Sequence, residues 1–135
     1  METGSSVYEE RSHYNRRKVL KVTKTLDDLL TERHAPAVDL LKLDVQGYEL
    51  EVLKGASGAL AQSTAMLLEA SLIPINSGCP LVSEVTSYAD TAGFRLFDFS
   101  SQIRRKDRLL WQTDLLFIRS NSRPLPLPSL TAENW

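Results

Sequence analysis

Apolar residues recur along the chain in short blocks, set apart by polar, glycine-marked and proline-marked turns. Residues 1–18 are polar and end in Arg16-Arg17-Lys18, which predicts a solvated arm. Val19–Lys24 alternates weakly and reads as a candidate strand. Thr25-Leu-Asp-Asp sets a carboxylate three residues after a hydroxyl, a helix-start signal, and Leu26, Leu29 and Leu30 give that helix one apolar side. Val38–Asp44 is almost continuously apolar, as expected of a strand covered on both faces. Gln46-Gly47 makes a turn. From Tyr48 the spacing becomes helical through Leu50, Leu53, Ala56 and Leu60, with Gly55 and Gly58 weakening or ending the helix. Ala65–Leu72 reads as a second buried strand, and Pro74, Gly78 and Pro80 mark the loop after it. Ser83–Ala92 predicts a helix stopped at Gly93. Phe94–Phe99 and Asp114–Arg119 predict two further strands joined by a polar, basic loop at Ser100–Arg108.

Strands alternating with helices predict an α/β domain over residues 19–120, between the arm (1–18) and a proline-rich tail (121–135) carrying Pro124, Pro126 and Pro128. The expected sheet is mostly parallel, with ligands bound beyond the carboxyl ends of its strands.

Composition narrows the picture. A chain of 135 residues with 42% apolar residues supports one domain with a real core. A net charge of −1 gives no electrostatic reason to expect nucleic acid or an anionic membrane as the main partner. The single cysteine, Cys79, has no internal disulfide partner, no Cys/His cluster suggests zinc, and a reducing, cytoplasmic setting is the default. The polar first residues do not form a signal peptide, and no apolar run approaches the roughly 20 residues of a bilayer span.

Charges interrupt the apolar strands. Period-two geometry puts Val38, Leu40, Lys42 and Asp44 on one face, and Glu69 stands inside the next strand. Such charges are costly inside a sheet unless paired. Two readings follow: Lys42 and Glu69 form a buried ion pair, or Asp44 faces a ligand crevice. If the last strand runs antiparallel beside the second, Asp114 starts at the same rim. Asp44, Gln46, Glu69 and Asp114 then converge. Such a group suits a general base, a metal ion, or recognition of a hydroxyl or amine.

These residues carry a resemblance. Val-Asp-Leu-Leu-Lys-Leu-Asp-Val-Gln-Gly-Tyr-Glu-Leu-Glu-Val-Leu-Lys-Gly-Ala (38–56) closely resembles the central motif of the FkbM-type S-adenosylmethionine-dependent methyltransferases. Thr25-Leu-Asp-Asp-Leu-Leu is similar to the family's upstream segment. Leu67-Leu-Glu-Ala-Ser-Leu, Gly93-Phe-Arg-Leu and Gln112-Thr-Asp-Leu-Leu-Phe-Ile follow in the family's order. The resemblance implies a class I, Rossmann-like methyltransferase fold, a seven-stranded sheet with one antiparallel strand. Residues 38–44, 65–72, 94–99 and 114–119 would be its fourth to seventh strands. It implies S-adenosylmethionine as cofactor and methyl transfer, typically to an oxygen, of a small-molecule or sugar-like acceptor. Asp44 matches the acid ending the fourth strand, Gln46 stands where many members have Glu, and Glu49 matches the acid opening the next helix. On this reading Asp44, Glu69 and Asp114 are the candidate catalytic residues. Asp44 and Gln46 are candidate cofactor contacts, and Tyr48 and Glu49 candidate substrate contacts; no metal ligands are assigned.

The chain departs from the family in one large respect. No glycine-rich loop follows an early strand, so the chain is expected to represent the carboxyl-terminal half of the enzyme. The strand at 38–44 would then be a free edge, open to pairing with a second copy of the chain. A non-catalytic remnant or interaction module using that edge is the alternative function. Of the remaining signals, Ile103–Arg108 is a basic patch suited to an anion or to solvent, and His13, His34 and Trp135 have no clear role. Trp111 is expected to pack beside the last strand, and Cys79 lacks the basic neighbour of a nucleophile.

Overall fold

The computed structural model describes residues 6–9, 17–74 and 76–121. Expectations for His13, Trp135, the proline tail and most of the arm lie outside these residues. The elements in chain order are α1 (Leu26–Glu32), β1 (Leu40–Leu43), α2 (Glu49–Lys54), α3 (Ser57–Gln62), β2 (Ala65–Ser71), α4 (Val82–Thr91), β3 (Phe94–Arg104) and β4 (Leu110–Arg119).

Thr25 caps α1, its hydroxyl accepting from the Asp28 amide at 3.1 Å, as the helix-start signal suggested. Asp27 has a second task. Its carboxylate accepts from Ser57 Oγ and from the amides of Gly58 (2.7 Å) and Ala59 (2.9 Å), and so caps α3 from another helix. Those amide donors, Gly58 first, hold the Asp27 carboxyl below its usual range despite some desolvation. The helix expected from Tyr48 to Leu60 is therefore two helices broken at Gly55-Ala56. Val19–Lys24 is not a strand. Leu20 and Val22 stand almost fully in solvent there, with no ladder partner among the described residues.

The sheet order is β1-β2-β4-β3. β1 and β2 are parallel, whereas β4 is antiparallel to both β2 and β3. Three strands thus run one way and β4 runs against them. Because β4 lies between β2 and β3, the pairings are mostly antiparallel, which corrects the mostly parallel sheet expected from the sequence. The cause is local. A short turn joins β3 to β4, closed by Arg105 N–H to Leu109 O at 2.9 Å, and a short turn can connect only antiparallel neighbours. The expected loop at Ser100–Arg108 is largely this hairpin.

One face of the sheet carries the core. Leu41 and Leu43 of β1, Met66, Leu68 and Ala70 of β2, Leu115 and Phe117 of β4, and Phe94 of β3 form one cluster with the helices' Leu53, Ala56, Ala59, Leu60, Val85 and Ala89. The alternate positions are uncovered. Leu40 is 55% exposed and Lys42 lies in solvent, so β1 is buried on one face only, not on two as its apolar run suggested. Beyond Phe94, every residue of β3 is exposed. Among the described residues β1 is an edge strand.

Candidate functional site

The carboxyl ends of β1 and β2 and the start of β4 meet at one rim. β1 leads into Asp44, and Glu69 of β2 lies opposite Asp114 of β4 in the antiparallel ladder. The chain after Asp44 turns sharply: Gln46 has φ 54° and Gly47 φ 98°. A side chain at Gly47 would be strained by that φ and would bring its Cβ to 2.5 Å from Cys79 Sγ, so only glycine fits.

The turn is held from inside by Glu49. That side chain is 1% exposed, and its Oε1 accepts from the amides of Val45 (3.1 Å) and Gly47 (3.2 Å). Burial pushes its carboxyl above the usual range, the amide bonds oppose this, and Asp44 nearby adds to the rise. In this conformation Glu49 supports the turn rather than facing solvent. From outside, Asn76 Nδ2 donates to the Gln46 carbonyl at 2.8 Å, and Ser6 Oγ donates to it at 3.1 Å. Tyr48 caps no hydrogen bond with its side chain; its ring meets Tyr8 edge-on at 5.6 Å.

The strained turn delivers the Gln46 amide to the rim. Its Nε2 donates to Asp44 Oδ1 at 3.1 Å and to Glu69 Oε2 at 3.0 Å. Gln112 Nε2 reaches the same Glu69 oxygen at 3.1 Å. Two amides thus hold Oε2, while Oε1 receives no donor among the described residues. Desolvation pushes Glu69 up to about 7, and the carboxylates of Asp44, Glu49 and Asp114 add to it; Lys42 acts in the opposite direction. Lys42 and Glu69 form no ion pair within the described structure, because Lys42 lies opposite Leu67 and points to solvent. The expected buried Lys42–Glu69 pair is therefore corrected.

Asp44, Gln46, Glu69 and Asp114 thus come together, Tyr48 and Glu49 stand behind them, and Gln112 and Asn76 join from positions that sequence reasoning did not single out. Gln112 was within reach of that reasoning, since period two places it on the face of Asp114. Asn76 carried no signal, because a loop places it. Among the described residues, no three His, Cys, Asp or Glu side chains lie close enough to share a metal ion. Nor is any described helix long and apolar enough to cross a membrane. Two shallow hollows on the described surface lie elsewhere, one along α4 beside Leu50 and Tyr88, the other at the β3–β4 tip.

Comparison with known proteins agrees with the architecture. Residues 2–96 match the family model of the methyltransferase FkbM domain. The chain belongs to this family. The match takes in the Asp44–Gln46 turn and Glu69 and ends within β3, so Gln112 and Asp114 lie beyond it. No curated protein and no solved structure matches the chain.

Proposed function

We propose that this FkbM-family chain is the carboxyl-terminal part of an S-adenosylmethionine-dependent O-methyltransferase acting on a small-molecule or sugar-like acceptor. β1 to β4 would be the fourth to seventh strands of a class I sheet, a reading supported by the single reversed strand, β4. The observation that carries the chemistry is the Glu69 carboxyl at the rim, poised at about 7, with one oxygen held by Gln46 and Gln112 and the other open.

The cofactor supplies an electrophilic methyl group on a sulfonium. The rim fits its positive end and the hydroxyls around it, since Asp44, Glu69 and Asp114 present acceptors. The described residues offer no cradle for the nucleoside end. Asp44 orients the acceptor hydroxyl. With the donor bound, Glu69 would take the hydroxyl proton at Oε1 as the methyl group passes from the sulfonium sulfur, left as a neutral thioether, to the acceptor oxygen, a role suited to a base near neutrality. Gln46 and Gln112 keep Glu69 from turning away.

Titration calorimetry of S-adenosylmethionine into the 135-residue chain tests the reading: saturable micromolar binding supports it. Absence of binding is the outcome for a truncated enzyme or for the second reading, a non-catalytic remnant or interaction module, for which the exposed β1 edge and Leu40 speak. That edge would pair with a second copy of the chain, a state that sedimentation velocity would detect as a dimer.

A further inference from the structure

Arg104, Arg105, Lys106 and Arg108 crowd four positive charges around one acid, Asp107, in a chain whose net charge is −1. All five side chains are exposed, and Arg104 to Asp107 line a hollow together with Trp111. Internal contacts consume only part of this charge. Arg105 pairs with Asp107 at 3.0 Å, and Arg104 donates to the Arg108 carbonyl and to Gln102 Oε1. Lys106 has no ion pair among the described residues.

Trp111 adds a second, independent observation. The ladder pairs Ile103 with Gln112 and Arg104 with Leu110, so Trp111 has no partner on β3. This is a bulge, a device that re-aims a side chain. The Trp111 carbonyl is anchored by Leu72 N–H at 2.7 Å, yet its indole Nε1 is shielded from solvent and meets no acceptor among the described residues. A buried donor left unmet is costly, and folded proteins retain few unless an ion or water meets them. An indole N–H can be met only by an acceptor, and Asp107 is the single carboxylate among the residues lining the hollow.

We propose that the tip of the β3–β4 hairpin binds a phosphate group, its oxygens met by the Trp111 indole N–H, the Arg104 and Arg105 guanidiniums and the Lys106 ammonium. Guanidinium forks match phosphate oxygens in pairs, and an ammonium adds a point charge. The long, exposed cationic side chains swing aside to admit an oxygen to the indole and close over the anion. The site does not depend on methyl transfer.

The test is an NMR titration of the 15N-labelled 135-residue chain, read at the Trp111 indole cross-peak. Inorganic phosphate and glucose 6-phosphate are compared with sodium chloride at matched ionic strength. The chain has two tryptophans, so Trp135→Phe leaves one indole peak, and Trp111→Phe confirms it. The expected result is a saturable shift with phosphate and none with chloride. Lys106→Glu, at an exposed position that the fold tolerates, weakens binding roughly tenfold. Tighter binding of the ester identifies an esterified ligand, and equal binding identifies the free anion; both uphold the site. A shift that chloride reproduces, or one unchanged by Lys106→Glu, overturns it.

Discussion

The two faces of the sheet obey different physics. On the helix side, Met66, Leu68, Leu115 and Phe117 are wholly enclosed. On the other side, Leu40 and Lys42, then Leu67 and Glu69, then Asp114 and Leu116 run across β1, β2 and β4, exposed or half-buried. The covered face is apolar and supplies stability through burial. The open face mixes apolar residues with carboxylates that repel one another, so burial supplies little of its stability. The same strands serve both roles because successive side chains alternate between faces.

Mutations sharpen this contrast. Phe117→Ala on the covered face should lose about 3–5 kcal/mol in urea unfolding, the usual result of deleting an enclosed ring. Glu49→Ala should lose about 2–3 kcal/mol, because the Val45 and Gly47 amides would remain buried without their acceptor. Glu49→Gln keeps an acceptor and should lose less.

Glu69→Gln probes the open face. The Glu69 carboxyl is raised from an ordinary 4.5 to about 7, so the folded chain holds a proton that the unfolded chain has released. Stability therefore falls as pH rises from about 4.5 to 7. The loss is on the order of 1 kcal/mol once solvent screening of this half-buried group is allowed for. Glu69→Gln should remove that slope and leave the variant more stable than the parent at pH 8 in paired denaturation curves. A slope of the same size in the variant would remove Glu69 as its source. Leu40→Ser, at the far edge, should change stability by less than about 0.5 kcal/mol. A loss as large as at Phe117 would mean that something covers the open face in solution, and the contrast between the faces would collapse.

Much of the fold was legible in the chain. The helix starts at Thr25, the strand–turn–helix at 38–54 and the buried strand at 65–71 followed from local period, capping and turn chemistry, which act within a few residues. The meeting of Glu69 with Asp114 was legible only as a consequence of one assumed strand direction. Within its own helix Asp27 is only a first-turn acid. That it caps α3, thirty residues on, depends on two helices packing.

The sequence by itself determined most of the element types, the family and the rim acids, because periodicity, turns and motif spacing are properties of neighbouring residues. Only the tertiary structure decided that β4 inserts between β2 and β3, that β1 is covered on one side alone, and that Gln46 and Gln112 share one oxygen of Glu69. Strand order, burial and charge coupling arise between residues far apart in the chain. They depend on which surfaces meet, and no local pattern encodes that.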